Sequence, residues 1–126
     1  MWFGRPFYFA DDVAIGVRDL DAAVLWYKSK LGLLRNFARS HECDALLTFS
    51  LEDEPGVALV LIPPGESEAK VERHPIIFTK NIEASHKFFV SHGVLTGPID
   101  SDSGGNRFFE FQDLEGNRIE VCTEPQ

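Results

Sequence analysis

The sequence is poor in the features that mark several protein classes. Its two cysteines, Cys43 and Cys122, give neither a disulfide framework nor a CxxC metal signature, so both read as buried or half-buried thiols. Clustered Lys and Arg are missing. A formal net charge of -8 repels phosphate backbones and anionic lipid, which excludes nucleic acid and membrane surfaces as expected partners. No stretch approaches the ~20 apolar residues of a membrane span. Residues 1–10 are aromatic with Arg5 as their one charge, and so lack the basic start and continuous apolar run of a secretory signal. A cytoplasmic protein is expected. Low-complexity tracts are absent too, and 126 residues suffice for one well-packed core but not for two independent ones.

What is present is an internal repeat. Asp53, Gly56, Leu59 and Leu61 match Asp113, Gly116, Ile119 and Val121 at a constant spacing, Asp53 falling on Asp113. The segment from Asp12 to Leu20 lies similarly against that from His74 to Ile82. Ordered matches at both ends of a unit divide the chain into one repeat over about 11–62, a linker over 63–73 rich in proline and charge, and a second repeat over about 74–123.

Each repeat carries the same elements. Val13, Ile15 and Val17 alternate with Asp12, Ala14 and Gly16, the period of two of a strand. Asp19 is placed to cap a helix bearing Leu20, Ala23, Val24, Tyr27 and Leu31, with Gly32 as its stop; Asn81 and Gly93 do the same for Ile82, Phe88 and Phe89. Three β-rich runs follow each helix, over 33–40, 45–51 and 57–62 and then 96–101, 107–112 and 118–123. The expected fold is α+β: two tandem βαβββ repeats forming a cupped, partly open mixed sheet with the helices outside.

Residues at both ends of this pattern resemble the vicinal oxygen chelate superfamily, which includes glyoxalase I, fosfomycin-resistance proteins, extradiol dioxygenases and bleomycin-binding proteins. The opening strand and helix, with Asp19-Leu20, Trp26-Tyr27 and Leu31-Gly32, look like the family's start. The closing turn Asp113-Leu114-Glu115-Gly116-Asn117, followed by Glu120, is similar to its DPxGN motif, with Leu114 in place of the customary proline. The resemblance covers about residues 12–124. It implies a glyoxalase-like fold, whereas function varies widely on this scaffold.

Metal-dependent members draw ligands from the first strand of each unit and the last strand of the second. Carried over, those positions are Asp12, where histidine is usual, His74 and Glu120; Val60, the counterpart of Glu120, cannot ligate. Strand parity agrees independently. If Val13, Ile15 and Val17 pack under the helix, then Asp12, Ala14 and Gly16 face the cup, with His74, Ile76 and Phe78 by repetition, and Glu120 looks inward between Ile119 and Val121. Inward carboxylates need a cation, a proton or hydrogen-bond donors. Two carboxylates and an imidazole would suit a divalent Mn, Fe, Zn or Mg ion. The plainer alternative leaves Asp12 in a solvated loop, His74 on the surface, and Glu120 paired with Arg107 or Arg118.

Ala14, Phe78, Phe109 and Phe111 are the candidate substrate-binding residues, since inward rings can stack an apolar or aromatic ligand. His86 and His92 read as structural or solvated, and His41-Glu42 as a hairpin, with a place on the pocket rim as the alternative. Gly104-Gly105 lacks the strand-to-helix setting of a phosphate loop.

Three functions follow. One is a metal-dependent enzyme of lyase, isomerase or dioxygenase type, acting on a small oxygen-bearing substrate chelated to the ion, with Glu120 as the catalytic proton acceptor. The alternative is a metal-free binding or sequestering protein of the bleomycin-resistance type. The third is a scaffold or regulatory subunit whose pocket has decayed. Under all three the resemblance implies a homodimer, through sheet edges or terminal segments, and the aromatic cluster Trp2, Phe3, Phe7, Tyr8 and Phe9 is the candidate contact.

Overall fold

Short runs of β-branched and aromatic residues, each closed by a helix cap or a turn, build two similar units. The computed structural model describes residues 7–36, 45–48, 59–65 and 74–124. In the first unit β1 (Val13–Gly16) leads to α1 (Leu20–Leu31), β2 (Leu34–Arg35), β3 (Ala45–Thr48) and β4 (Leu59–Ile62). The second runs β5 (Ile76–Thr79), α2 (Ile82–Ser91), β6 (Leu95–Thr96), β7 (Asp100–Ser101), β8 (Arg107–Gln112) and β9 (Arg118–Thr123). The caps are those the sequence predicts: Asp19 accepts from Ala22 N and Asn81 from Ala84 N, while Gly32 closes α1 at φ 72. The single strand expected over 96–101 is split into β6 and β7, because Pro98 between them has no N–H to give a ladder.

The sheets run β1-β4-β3-β2 and β5-β9-β8-β6, with β7 added on β8. Each pairs its first and last strands in parallel and in one register: Ala14 lies beside Val60, and Ile76 beside Glu120. The fold is the glyoxalase-like α+β arrangement. One continuous core joins both units, from Val13, Ile15 and Val17 through Tyr27 and Leu61 to Phe89, Phe109, Phe111 and Val121. Phe7 and Phe9 belong to it at 1% and 9% exposure, so these two rings are core rather than the exposed dimer contact expected of them. Trp2 and Phe3 lie outside the described residues.

The turn over 113–117 fastens the second unit to the first. Asp113 accepts from Glu115 N and Asn117 N at 2.9 Å on one oxygen, and from Tyr27 Oη at 2.7 Å and Asn117 Nδ2 at 2.9 Å on the other. Asn117 also donates to Gly16 O, and Glu115 accepts from the Arg18 and Asp19 amides beside the positive end of α1. Gly116 takes φ 83, which only glycine adopts freely, whereas Leu114 is 53% exposed and its position accepts a residue other than proline.

Candidate functional site

Alternation along β8 and β9 decides what the second sheet shows to each side. Phe109, Phe111, Ile119 and Val121 are buried, and the rings of Phe109 and Phe111 pack on Phe89 of α2 with centroids 5.7 and 4.5 Å away. Both phenylalanines therefore lie on the helix side, which corrects their expected place in the cup. The opposite, concave face carries Phe108, Glu110 and Gln112 from β8, and Arg118, Glu120 and Cys122 from β9, in the pairs Phe108–Cys122, Glu110–Glu120 and Gln112–Arg118. From β5 it carries Ile76 and Phe78. Ala14 takes the equivalent place in the first unit, beside Val60.

His74 and Glu120 meet. The backbone bond from Glu120 N to Pro75 O, 3.0 Å, sets β9 beside the start of β5, and His74 Nε2 lies 3.2 Å from Glu120 Oε1. The imidazole is 65% exposed and the carboxylate 17%. Among the described residues neither arginine considered for Glu120 takes that role: Arg107 pairs with Glu83, and Glu120 has His74 as its side-chain partner rather than Arg118. Asp12 is exposed and does not join this pair: among the described residues, no three His, Cys, Asp or Glu side chains gather closely enough to hold a metal. Catalytic metal sites usually supply three protein ligands. Among the described residues two such donors are gathered, His74 and Glu120, one short of that set.

Around the pair the surface is aromatic and acidic. Tyr8 exchanges both backbone hydrogen bonds with Phe78, and its ring lies 6.0 Å from the Phe78 ring. Burial, then the nearby Glu124 carboxylate, pushes the Tyr8 hydroxyl above its usual range. Burial, reinforced by Glu120 and Asp102, likewise raises the half-buried Cys122 thiol, which argues against a thiolate nucleophile there. Cys43, His41 and Glu42 fall outside the described residues. His86 and His92 are absorbed locally, His86 donating to Gly97 O and His92 to Phe88 O, each at 2.8 Å.

Beside Glu120 the face opens into a cavity of about 260 Å³, lined by Leu95, Thr96, Gly97, Glu110, Gln112 and Arg118. Sequence reasoning passed over Glu110 and Gln112. Counting back across the 113–117 turn from Glu120 places both on its face, so the hairpin register was the signal.

The family model of the Glyoxalase/Bleomycin resistance protein/Dioxygenase superfamily matches residues 10–121. No curated protein matches the sequence. Among solved structures, a member of that superfamily from Sphaerobacter thermophilus DSM 20745 is similar at 18% identity and TM-score 0.68, over 92% of this chain and 97% of that one. A glyoxalase/bleomycin resistance protein/dioxygenase from Alicyclobacillus acidocaldarius shares 23% identity at TM-score 0.65, over 91% and 90%. A glyoxalase-related enzyme from Clostridium phytofermentans reaches TM-score 0.69 at 13% identity, over 91% and 94%. At these identities the structures speak for the fold alone. The paired units, the fastening turn and a family model that spans nearly the whole chain lead to one assignment: the chain belongs to the Glyoxalase/Bleomycin resistance protein/Dioxygenase superfamily.

Proposed function

We propose that the protein binds a small molecule on the concave face of its second unit, as a metal-free binding or sequestering protein of the bleomycin-resistance type. The observation that carries this reading is the open cavity lined by Glu110, Gln112 and Arg118, on the same sheet face as the half-buried Phe78 and Phe108. Small-molecule sites combine such apolar and aromatic walls with a few polar groups that fix orientation. A cytoplasmic homodimer is part of the proposal and rests on sequence alone. Thermal shift with a panel of small aromatic and cationic compounds tests the binding, repeated on Phe108→Ala. The reading stands if some compound raises Tm in the parent and much less in the variant, and it falls if none does at millimolar concentration.

The metal-dependent lyase, isomerase or dioxygenase is the second reading, with Asp12, His74 and Glu120 as ligands, Glu120 as proton acceptor, and Ala14 and Phe78 against the substrate. Its support is the 3.2 Å approach of His74 to Glu120, a spacing that two ligands of one ion can share. It needs a third donor. Elemental analysis decides: stoichiometric Mn, Fe, Zn or Mg in the parent, absent from both His74→Ala and Glu120→Ala, would favour the enzyme over the binder.

A further inference from the structure

We propose that the cavity between β6, β8 and β9 recognises a small zwitterion of the amino-acid type, its ammonium held by Glu110 and its carboxylate by Arg118 and Gln112. This deepens the binding reading above and rests on it.

The case begins with charges that have no partner among the described residues. In the second unit most carboxylates are engaged: Glu83 with Arg107, Asp102 with Asn106, Asp113 with Tyr27, Glu115 with the start of α1, and Glu120 with His74. Glu110 is half-buried, lines the cavity, and neither its carboxylate nor the Gln112 amide makes a hydrogen bond or ion pair among the described residues. The Arg118 guanidinium lines the same cavity from an exposed position and likewise makes no such bond among the described residues, whereas Arg18 and Arg107 each meet a carboxylate. A partly desolvated carboxylate without a partner costs stability, and a fold that needed no ligand here would gain by pairing Glu110 with the exposed Arg118.

Geometry makes the missing pair informative. In the hairpin register Glu110 opposes Glu120 and Gln112 opposes Arg118, so Glu110 and Arg118 are diagonal neighbours on one face, a separation long side chains can bridge. They line one cavity and do not bridge it. A ligand with a charge at each end completes both ion pairs and brings no net charge. Arg118 offers the planar fork that suits a carboxylate, and Gln112 beside it adds amide donors. Glu120, directly across from Glu110, reinforces the cationic end. At about 260 Å³ the cavity is below the ~300–1,000 Å³ of drug-sized sites, and Leu95, 67% exposed and opposite Gln112, supplies an apolar contact for a short side chain.

The test is calorimetric titration of the full chain with each common free amino acid. The tightest binder is then compared with its amide, which lacks the negative end, and with its deamino acid, which lacks the positive end. The expected result is that both analogues bind about tenfold more weakly or worse, and that Arg118→Ala and Glu110→Gln, at near-parental Tm, each weaken the amino acid by a similar factor. Equal binding of amino acid and analogues overturns the inference, as does binding indifferent to both substitutions. If no amino acid binds while the aromatic panel still does so in a Phe108-dependent way, the zwitterion fails and the binding reading survives. If nothing binds, both fail.

Discussion

The two units share a skeleton and differ on one face. On the helix side, Ile15, Leu47, Leu59 and Leu61 of the first unit stand where Ile77, Phe111, Ile119 and Val121 stand in the second, and all eight are buried. On the concave side, Ala14, Leu46 and Val60 correspond to Ile76, Glu110 and Glu120. Packing constrains the first set, because lost core methylenes leave cavities. The second set is constrained only by what the cup must hold. That difference is what the proposed binding function rests on: polar side chains face the cup in the second unit where apolar ones stand in the first.

The sharpest way to break this comparison is to exchange the faces of one strand. Phe109→Ala removes a ring packed on α2 and should cost about 3–5 kcal/mol in urea unfolding. Its neighbour Phe108→Ala removes a half-buried ring from the cup and should cost nearer 1 kcal/mol. Equal losses would mean that β8 does not separate core from site. Next in size is the joint between units. Asp113→Ala strands the buried Tyr27 hydroxyl and frees the turn, an expected loss of roughly 3 kcal/mol.

Tyr27→Phe tests the same joint more gently. Tyr27 stands in α1 where Phe89 stands in α2, so the substitution gives the first unit the second unit's residue. It should cost about 1 kcal/mol at neutral pH. Burial, then the Asp113 carboxylate, holds the Tyr27 pKa well above 10.0. A raised folded pKa stabilises fully below the unfolded value, and that contribution fades as pH climbs from there toward the folded pKa. Stability should therefore fall above about pH 10 in the parent and less steeply in Tyr27→Phe. Parallel pH profiles would show that the hydroxyl titrates freely.

Most of the architecture was legible because period and caps are local. Val13, Ile15 and Val17 announce their buried face, Asp19 and Asn81 announce helix starts, and the spacing of Asp53 from Asp113 announces the repeat. The contact of His74 with Glu120 was legible as well, since the repeat places both beside the parallel β5–β9 pair. Two things were not. The faces of Phe109 and Phe111 depend on which residue of an aromatic run sits opposite Ile119 and Val121, and a one-residue change of register exchanges every side chain. Whether Asp12 reaches His74 depends on how the units meet, which the Tyr27–Asp113 and Asn117–Gly16 contacts fix and no local pattern encodes.

The smallest expected effect is the most specific. Glu110 and Glu120 are directly opposed, and like charges so placed destabilise a sheet. Glu110→Leu copies Leu46 of the first unit, removes the repulsion and leaves Glu120 to His74. It should raise stability by about 0.5 kcal/mol at low salt, with the gain shrinking as added salt screens the parent's repulsion. Ligand binding should be lost in the same variant, as is usual where a site keeps charge at the expense of stability. If Glu110→Leu instead destabilises the sheet by more than ~1 kcal/mol at both salt concentrations, Glu110 is holding the fold together, and the two concave faces differ for structural reasons rather than for binding.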